Sequence, residues 1–338
     1  VRKTLLKKSP TRVDFAGGTL DCWPLYLMVG GGAKTINLCI DILTTAELTL
    51  REDAEIHIHG RDLNYQKSFK DLKDFLACQD AELDLIRVHV NFWKPSFGFE
   101  LKTSSDSPVG GGLGGSSSLS MGLIDVFAEA MKKPLSAKEK VILSGNLEAE
   151  ILQKPTGTQD YFPAFLSGLN TIHYTPLGFE WEAMPVDLVH IEDRLSLVYT
   201  GRPHHSGINN WSVLKKVFDG DRETLKTLRE IKEVTEDLYV SLKKNSLQEI
   251  PEIFKRELSA RERLSESFSS PEIKRLTDVA LRQGAHAVKI CGAGGGGCVA
   301  LWSPPSLKTQ IEDACRKEGF RVLPMKPVSK PFEVETRS

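Results

Sequence analysis

Two dense glycine runs stand out as places where chemistry could happen. The first is Pro108-Val109-Gly110-Gly111-Gly112-Leu113-Gly114-Gly115-Ser116-Ser117-Ser118, and the second is Gly292-Ala293-Gly294-Gly295-Gly296-Gly297. Backbone N–H groups converge on an anion only where side chains leave room, so a glycine turn at a helix N-terminus suits a phosphate. The three serines closing the first run add hydroxyls that could ligate Mg²⁺ or donate to phosphate oxygens. Both Gly110-x-Gly112-x-x-Gly115 and Gly292-x-Gly294-x-x-Gly297 fit the dinucleotide fingerprint. That fingerprint needs a strand running straight into the loop, and the polar stretch Thr103 to Ser107, with Pro108, intervenes. A Walker loop is excluded because no Lys follows the last glycine. A different phosphate cradle is implied. The plainer alternative is a glycine connection that only turns tightly, against which the amphipathic segment that follows argues.

Several elements must position these loops. Apolar/polar alternation predicts strands at Thr11 to Ala16, Ala33 to Ile42, Ala46 to Arg51, Glu55 to His59 and Phe97 to Leu101. From Ser116 the spacing of Leu119, Leu123, Ile124, Phe127 and Met131 predicts a helix starting directly at the glycine loop. A second helix, Ser136 to Leu152, turns Val141, Leu143, Leu147 and Ile151 inward and exposes Glu148 or Glu150 near its end. Two strands follow Asn170, then a helical stretch from Ile208 to Gln283. Strands at Ala287 to Ile290, Cys298 to Trp302 and Arg321 to Leu323 complete the chain, with a helix from Ser306 to Glu318. The boundary is expected near residue 180, giving domains 1–180 and 181–338, the second an antiparallel α/β sandwich.

Composition narrows the partners. Lys and Arg total 44 against 45 Asp and Glu in 338 residues, so no strong field draws the chain to nucleic acid or an anionic membrane. Small molecules are the expected partners. No apolar stretch reaches membrane-spanning length, and the first ten residues lack a signal-peptide pattern, so a cytoplasmic location is expected. The six cysteines are dispersed without zinc-like spacing and read as reduced thiols.

The run Pro108 to Ser118 resembles the nucleotide motif of the GHMP kinases. Thr11-Arg12-Val13-Asp14-Phe15-Ala16-Gly17-Gly18-Thr19-Leu20-Asp21 resembles that family's N-terminal substrate motif, and Lys289 to Gly297 its C-terminal glycine motif. The resemblance implies an α+β fold in two domains: an N-terminal domain like domain 2 of ribosomal protein S5 and a ferredoxin-like C-terminal domain. It implies ATP and Mg²⁺, with Pro108 to Ser118 on the nucleotide, and Gly294, Gly295 and Gly296 beside the substrate. Glu148 matches the metal-ligating glutamate. Gly115 stands where the family often has a serine, leaving Ser116 as first choice and Ser117 as second for the metal. Gly157-Thr158-Gln159-Asp160 resembles the segment carrying the catalytic aspartate, which makes Asp160 the general base, with the permanent cation Arg12 beside it. Phosphoryl transfer needs this set: charge neutralisation, an oriented hydroxyl and a proton acceptor.

Arg at position 12 is similar to galactokinase-like sugar kinases, where mevalonate kinases tend to carry Lys. Asp21 matches an aspartate that accepts sugar hydroxyls, and Gly17 and Gly18 would admit a sugar close to the backbone. The run Phe15 to Asp21 departs from the galactokinase pattern and is closer to kinases of D-glycero-D-manno-heptose 7-phosphate. Gln159-Asp160-Tyr161 and Thr200 to Ser206 agree with that branch. The expected reaction is phosphorylation of the anomeric hydroxyl of such a sugar. The alternatives are a galactokinase or mevalonate-type kinase, or a catalytically silent nucleotide and sugar sensor. A substrate phosphate would need a cation, with Arg202 and Lys34 as candidates; His204 and His205 would cap a helix or touch substrate.

Overall fold

The computed structural model describes residues 3–203, 206–292 and 294–337. His204 and His205, and with them the expected helix cap, lie outside the described residues, as does Ala293. The first half of the chain runs β1 (Thr4–Ala16), α1 (Leu25–Met28), β2 (Lys34–Leu50), β3 (Ile56–Gly60), β4 (Tyr65–Phe69), α2 (Leu72–Ala77), α3 (Asp84–Trp93), β5 (Phe99–Ser105), α4 (Gly115–Ala130) and α5 (Ala137–Leu152). It continues through β6 (Leu169–Thr175), β7 (Gly178–Ala183), α6 (Leu188–Glu192), β8 (Leu195–Tyr199), α7 (Ser206–Phe218), α8 (Arg222–Lys243), α9 (Ile250–Leu264) and α10 (Pro271–Arg282). The last elements are β9 (Ala287–Ile290), β10 (Cys298–Trp302), α11 (Lys308–Lys317), β11 (Arg321–Leu323) and β12 (Glu335–Arg337).

The large sheet has the order β12-β1-β2-β5-β3-β4, and β6 and β7 extend it from the N-terminal half of β2. β2 can serve two neighbours because it is one continuous strand. The sequence suggested two strands here, but Leu43 to Thr45 between them are extended, with Thr44 and Thr45 paired to β5. β1 is buried on both faces for most of its length, so the charged side chains of Arg12 and Asp14 enter the interior. α4 lies against β1 and β2. Gly122 makes the approach possible, since a Cβ there would stand 3.2 Å from Ser9 Oγ and 3.6 Å from Ala46 Cβ. Leu123, Ile124 and Phe127 are fully buried, each worth about 1.5–3 kcal/mol of apolar burial. α5 starts with a capping box in which Ser136 and Glu139 satisfy each other's backbone N–H groups.

The second sheet is wholly antiparallel with the order β11-β8-β10-β9, the ferredoxin-like arrangement, and helices α7 to α11 accompany it. Position 180 falls inside β7, which pairs with β6 in the large sheet, and β12 returns to pair with β1. The two layers therefore exchange chain twice. The first hundred residues also contain helix that strand patterning did not suggest. α3 buries Ile86, His89, Val90 and Trp93, an i, i+3, i+4, i+7 stripe, and α2 is capped by Asp71 accepting from the Asp74 N–H at 2.8 Å. No helix among the described residues is long and apolar enough to cross a membrane.

Candidate active site

The first glycine run forms a loop held from both sides by backbone. Arg12 N–H donates to Leu113 O at 3.1 Å from β1, and Cys298 N–H donates to Gly111 O at 2.8 Å from β10. Within the loop, Gly111 N–H closes a turn on Pro108 O at 2.8 Å. Gly114, with φ +74°, caps α4 in the left-handed region, where a side chain would be strained and would meet Asp160 Cβ at 3.1 Å. Gly110 and Gly112 also have positive φ. The result is a glycine-rich cradle at the start of a long helix, the setting in which backbone N–H groups hold a phosphate. β5 continues to Ser105, so the strand reaches closer to the loop than the polar run Thr103 to Ser107 suggested.

The three serines separate by helical rotation. Ser116 is exposed in the first turn of α4, and Ser117 is buried with its Oγ 3.3 Å from Glu148 Oε2. The hydroxyl meeting Glu148 is thus that of Ser117, the second choice after Ser116 for the metal. Ser118 is fully buried and lies 2.8 Å from Pro10 O and 2.9 Å from Thr44 Oγ1. It fastens α4 to the sheet.

Glu148, near the end of α5, also receives hydroxyls from Thr156, at 3.3 Å, and from Tyr161. Burial pushes its carboxyl up to about 7. Among the described residues no Lys or Arg pairs with it. A half-buried carboxylate ringed by hydroxyl oxygens, beside a phosphate cradle, fits a hard divalent cation that keeps waters and phosphate oxygens as its other ligands.

Asp160 is the second residue of a short 3₁₀ turn, Gln159–Ala164, and its side chain is a quarter exposed. The Arg12 guanidinium holds it through Nε at 2.8 Å and Nη2 at 2.6 Å, while Nη1 donates to Gly112 O. One cation therefore ties the aspartate to the glycine loop, and a planar fork suits that task. Asp21 lies beside it, 3% exposed, with Oδ2 accepting Gln159 N–H at 3.0 Å. Burial, reinforced by the charges of Asp160 and Asp14, raises its carboxyl to about 6. Gly157 makes room, because a Cβ there would sit 2.1 Å from Asp21 Oδ2. Gly17, with φ +88°, is pressed on Lys34 O, and Gly18 on the Asp14 carboxylate.

Arg12, Gly18, Asp21, Glu148 and Asp160 all border one cavity, joined there by Thr156, Gln159, Asn210 of α7, Arg261 of α9 and Gly292. Of the second glycine run, Gly292 borders the cavity. Gly294 to Gly297 all have positive φ, and Gly296 and Gly297 pack on backbone: a Cβ would stand 2.4 Å from Arg202 O at Gly296 and 3.0 Å from Gly111 O at Gly297. The run thereby supports the first loop. Arg202 and Lys34, the candidates for a substrate phosphate, are paired with Glu272 and Glu236 respectively.

Sequence reasoning missed the support beneath this cavity. Asp14, Arg261, Glu257 and Lys289 form a charge quartet, each 1% exposed or less. Lys289 Nζ lies 3.5 Å from Asp14 Oδ2 and 3.4 Å from Glu257 Oε1; Arg261 pairs with Glu257, lies 3.5 Å from Asp14, and donates to Gly18 O at 3.0 Å. Burial alone would raise Asp14, but the charges of Lys289, Arg261 and Arg12 outweigh it and hold its carboxyl below the ordinary value. The available signal was the pair Glu257 and Arg261, four residues apart on the buried stripe of α9 among Ile253, Phe254, Ala260 and Leu264.

Residues 81–168 match the family described as GHMP kinases N terminal domain, and residues 240–321 match GHMP kinases C terminal. The chain is 30% identical to D-glycero-alpha-D-manno-heptose 7-phosphate kinase of Campylobacter jejuni over 94% of each sequence. It is 24% identical to the galactokinase of Pyrococcus furiosus over 92% of each. Its fold is that of a D-glycero-D-manno-heptose 1-phosphate kinase from Bacteriodes thetaiotaomicron, with TM-score 0.79 at 20% identity over the whole of both chains. Methanococcus jannaschii mevalonate kinase shares it too, with TM-score 0.71 at 20% identity, covering 96% of this chain and 98% of that one.

Proposed function

Because the chain belongs to the GHMP kinase family, whose members are ATP-dependent phosphotransferases, we propose that it phosphorylates a hydroxyl of a sugar or sugar phosphate. The first candidate is the anomeric hydroxyl of a heptose 7-phosphate. The observation that carries this reading is the placement of Asp160: bound by Arg12, packed over Gly114 of the cradle, and on the same cavity wall as Asp21. The acceptor hydroxyl loses its proton to Asp160 as its oxygen bonds to the γ-phosphorus. The bond from that phosphorus to the β,γ-bridging oxygen breaks, and ADP leaves. Arg12 stays cationic throughout and offsets charge on the transferring group.

Mg²⁺ is the cation that fits Glu148 and Ser117, and when bound it would neutralise charge on the β- and γ-phosphates. Ser117→Ala should raise the Mg²⁺ concentration giving half-maximal ADP release by about tenfold, the loss expected when one oxygen ligand is removed. Ser116→Ala should change it less. The reverse order, read from Mg²⁺ titrations at saturating ATP, would return the metal to Ser116.

Asp21, as an acceptor of sugar hydroxyls, binds them best when ionised. Its carboxyl lies near 6 in the free protein, so acidification protonates it and weakens sugar binding. The kcat/KM for sugar should fall on the acid side of that value, with the KM for ATP little changed. Asp21→Asn should lower kcat/KM and flatten this acid limb. A limb that survives in Asp21→Asn would assign the titration to another group.

The reading as a whole is tested by ADP release from Mg-ATP with heptose 7-phosphate, free hexoses and mevalonate. Release with a sugar is expected. Turnover of mevalonate alone would overturn the proposal.

A further inference from the structure

We propose that Gln159 reads a hydroxyl of the sugar and so sets which sugar is accepted; this rests on the sugar-kinase reading above. The backbone of Gln159 is tied on both sides, its N–H to Asp21 Oδ2 at 3.0 Å and its carbonyl to Asn37 Nδ2 at 3.2 Å. The residue borders the cavity while being only 6% exposed. Its Oε1 is buried and has no hydrogen-bond partner among the described residues. Gly18 is the residue that admits the amide, for a Cβ at that position would stand 2.9 Å from Gln159 Nε2.

A buried amide oxygen without a partner is destabilising, so the site gains when a ligand supplies the missing donor. The same wall carries a second such acceptor, Asp14 Oδ1, whose partner oxygen Oδ2 is the one facing Lys289 and Arg261. Asp21 adds a carboxylate. Gln159, Asp14 and Asp21 all border the one cavity, and acceptors on its wall suit a ligand face rich in O–H donors and carrying no anion. A phosphate placed there would meet Asp14 and Asp21 directly, so the phosphate of a sugar phosphate must point away from Gln159. Sites built to bond a hydroxyl discriminate strongly against analogues that lack it.

The test compares wild type with Gln159→Met, which keeps the volume and removes the hydrogen bonds. D-glycero-D-manno-heptose 7-phosphate and its singly deoxygenated analogues serve as acceptors. With the parent sugar, kcat/KM should fall about 10–100-fold in the variant while the KM for ATP holds. One deoxy analogue should be used equally well by both proteins, because its missing hydroxyl and the missing amide are the same interaction. No loss with the parent sugar, or an equal loss across every analogue, would overturn the assignment. Should Gln159→Met not fold, Gln159→Glu keeps an acceptor and should keep the discrimination; losing it would also overturn the assignment. Absence of ADP release by the wild type with every sugar would instead overturn the sugar-kinase reading, and this inference with it.

Discussion

Asp160→Asn should lower kcat by about 10²–10⁴-fold, the usual contribution of a positioned general base. The substitution keeps an oxygen for the Arg12 guanidinium, which now bonds Asp160 through both Nε and Nη2. The cradle tethered through Gly112 should therefore stay in place, and the KM for ATP with it. The loss should appear in kcat and kcat/KM alike, as it does when an interaction made in the transition state is removed. ADP release at the wild-type rate, with nucleotide still bound, would remove Asp160 from its role as base.

The second large effect is on stability. Glu257→Gln leaves Lys289 and Arg261, both buried, with Asp14 as the one remaining anion of the quartet. Breaking a buried ion network by removing one partner costs about 3–5 kcal/mol. For a chain of this size that corresponds to a fall in Tm of about 4–7 °C. The double variant Glu257→Gln, Lys289→Gln removes one charge of each sign and should recover part of the loss, a coupling that additive surface effects would not give. The depressed carboxyl of Asp14 adds a pH signature. Its contribution is complete above the ordinary aspartate value and is lost as the pH falls through its lower folded value, so the wild type should lose stability in acid faster than Asp14→Asn. Scanning calorimetry reads all of these. A Tm for Glu257→Gln within about 1 °C of wild type would show that the quartet contributes little.

Much of this architecture was legible because local pattern and global fold agree. β9, β10 and the helix leaving the glycine loop follow directly from alternation and helical spacing, and the two glycine runs point to the cradle. Other features needed three dimensions. Adjacent serines differ by a rotation of about 100° on a helix, so spacing alone could not say that Ser117, rather than Ser116, turns to Glu148. Thr156 and Tyr161 join Glu148 from a turn eight or more residues away, which no helical period encodes. The strand break expected in β2 failed because two β-branched threonines continue an extended strand as readily as they end one. The charge quartet was hidden by its chemistry, since charged residues are almost always solvated and a buried set draws its members from distant segments. Position 14 belonged to the substrate motif and position 289 to the C-terminal one, yet their pairing depends on β1 lying against β9, a contact between the chain's two ends.

The most direct measurement is ³¹P NMR of the product formed from Mg-ATP and D-glycero-D-manno-heptose 7-phosphate. A new phosphomonoester signal coupled to the anomeric proton is expected, appearing in step with ADP and absent when Asp160→Asn replaces the wild type over the same interval. A phosphate on any other hydroxyl, or no transfer to this sugar while mevalonate is phosphorylated, would contradict that expectation.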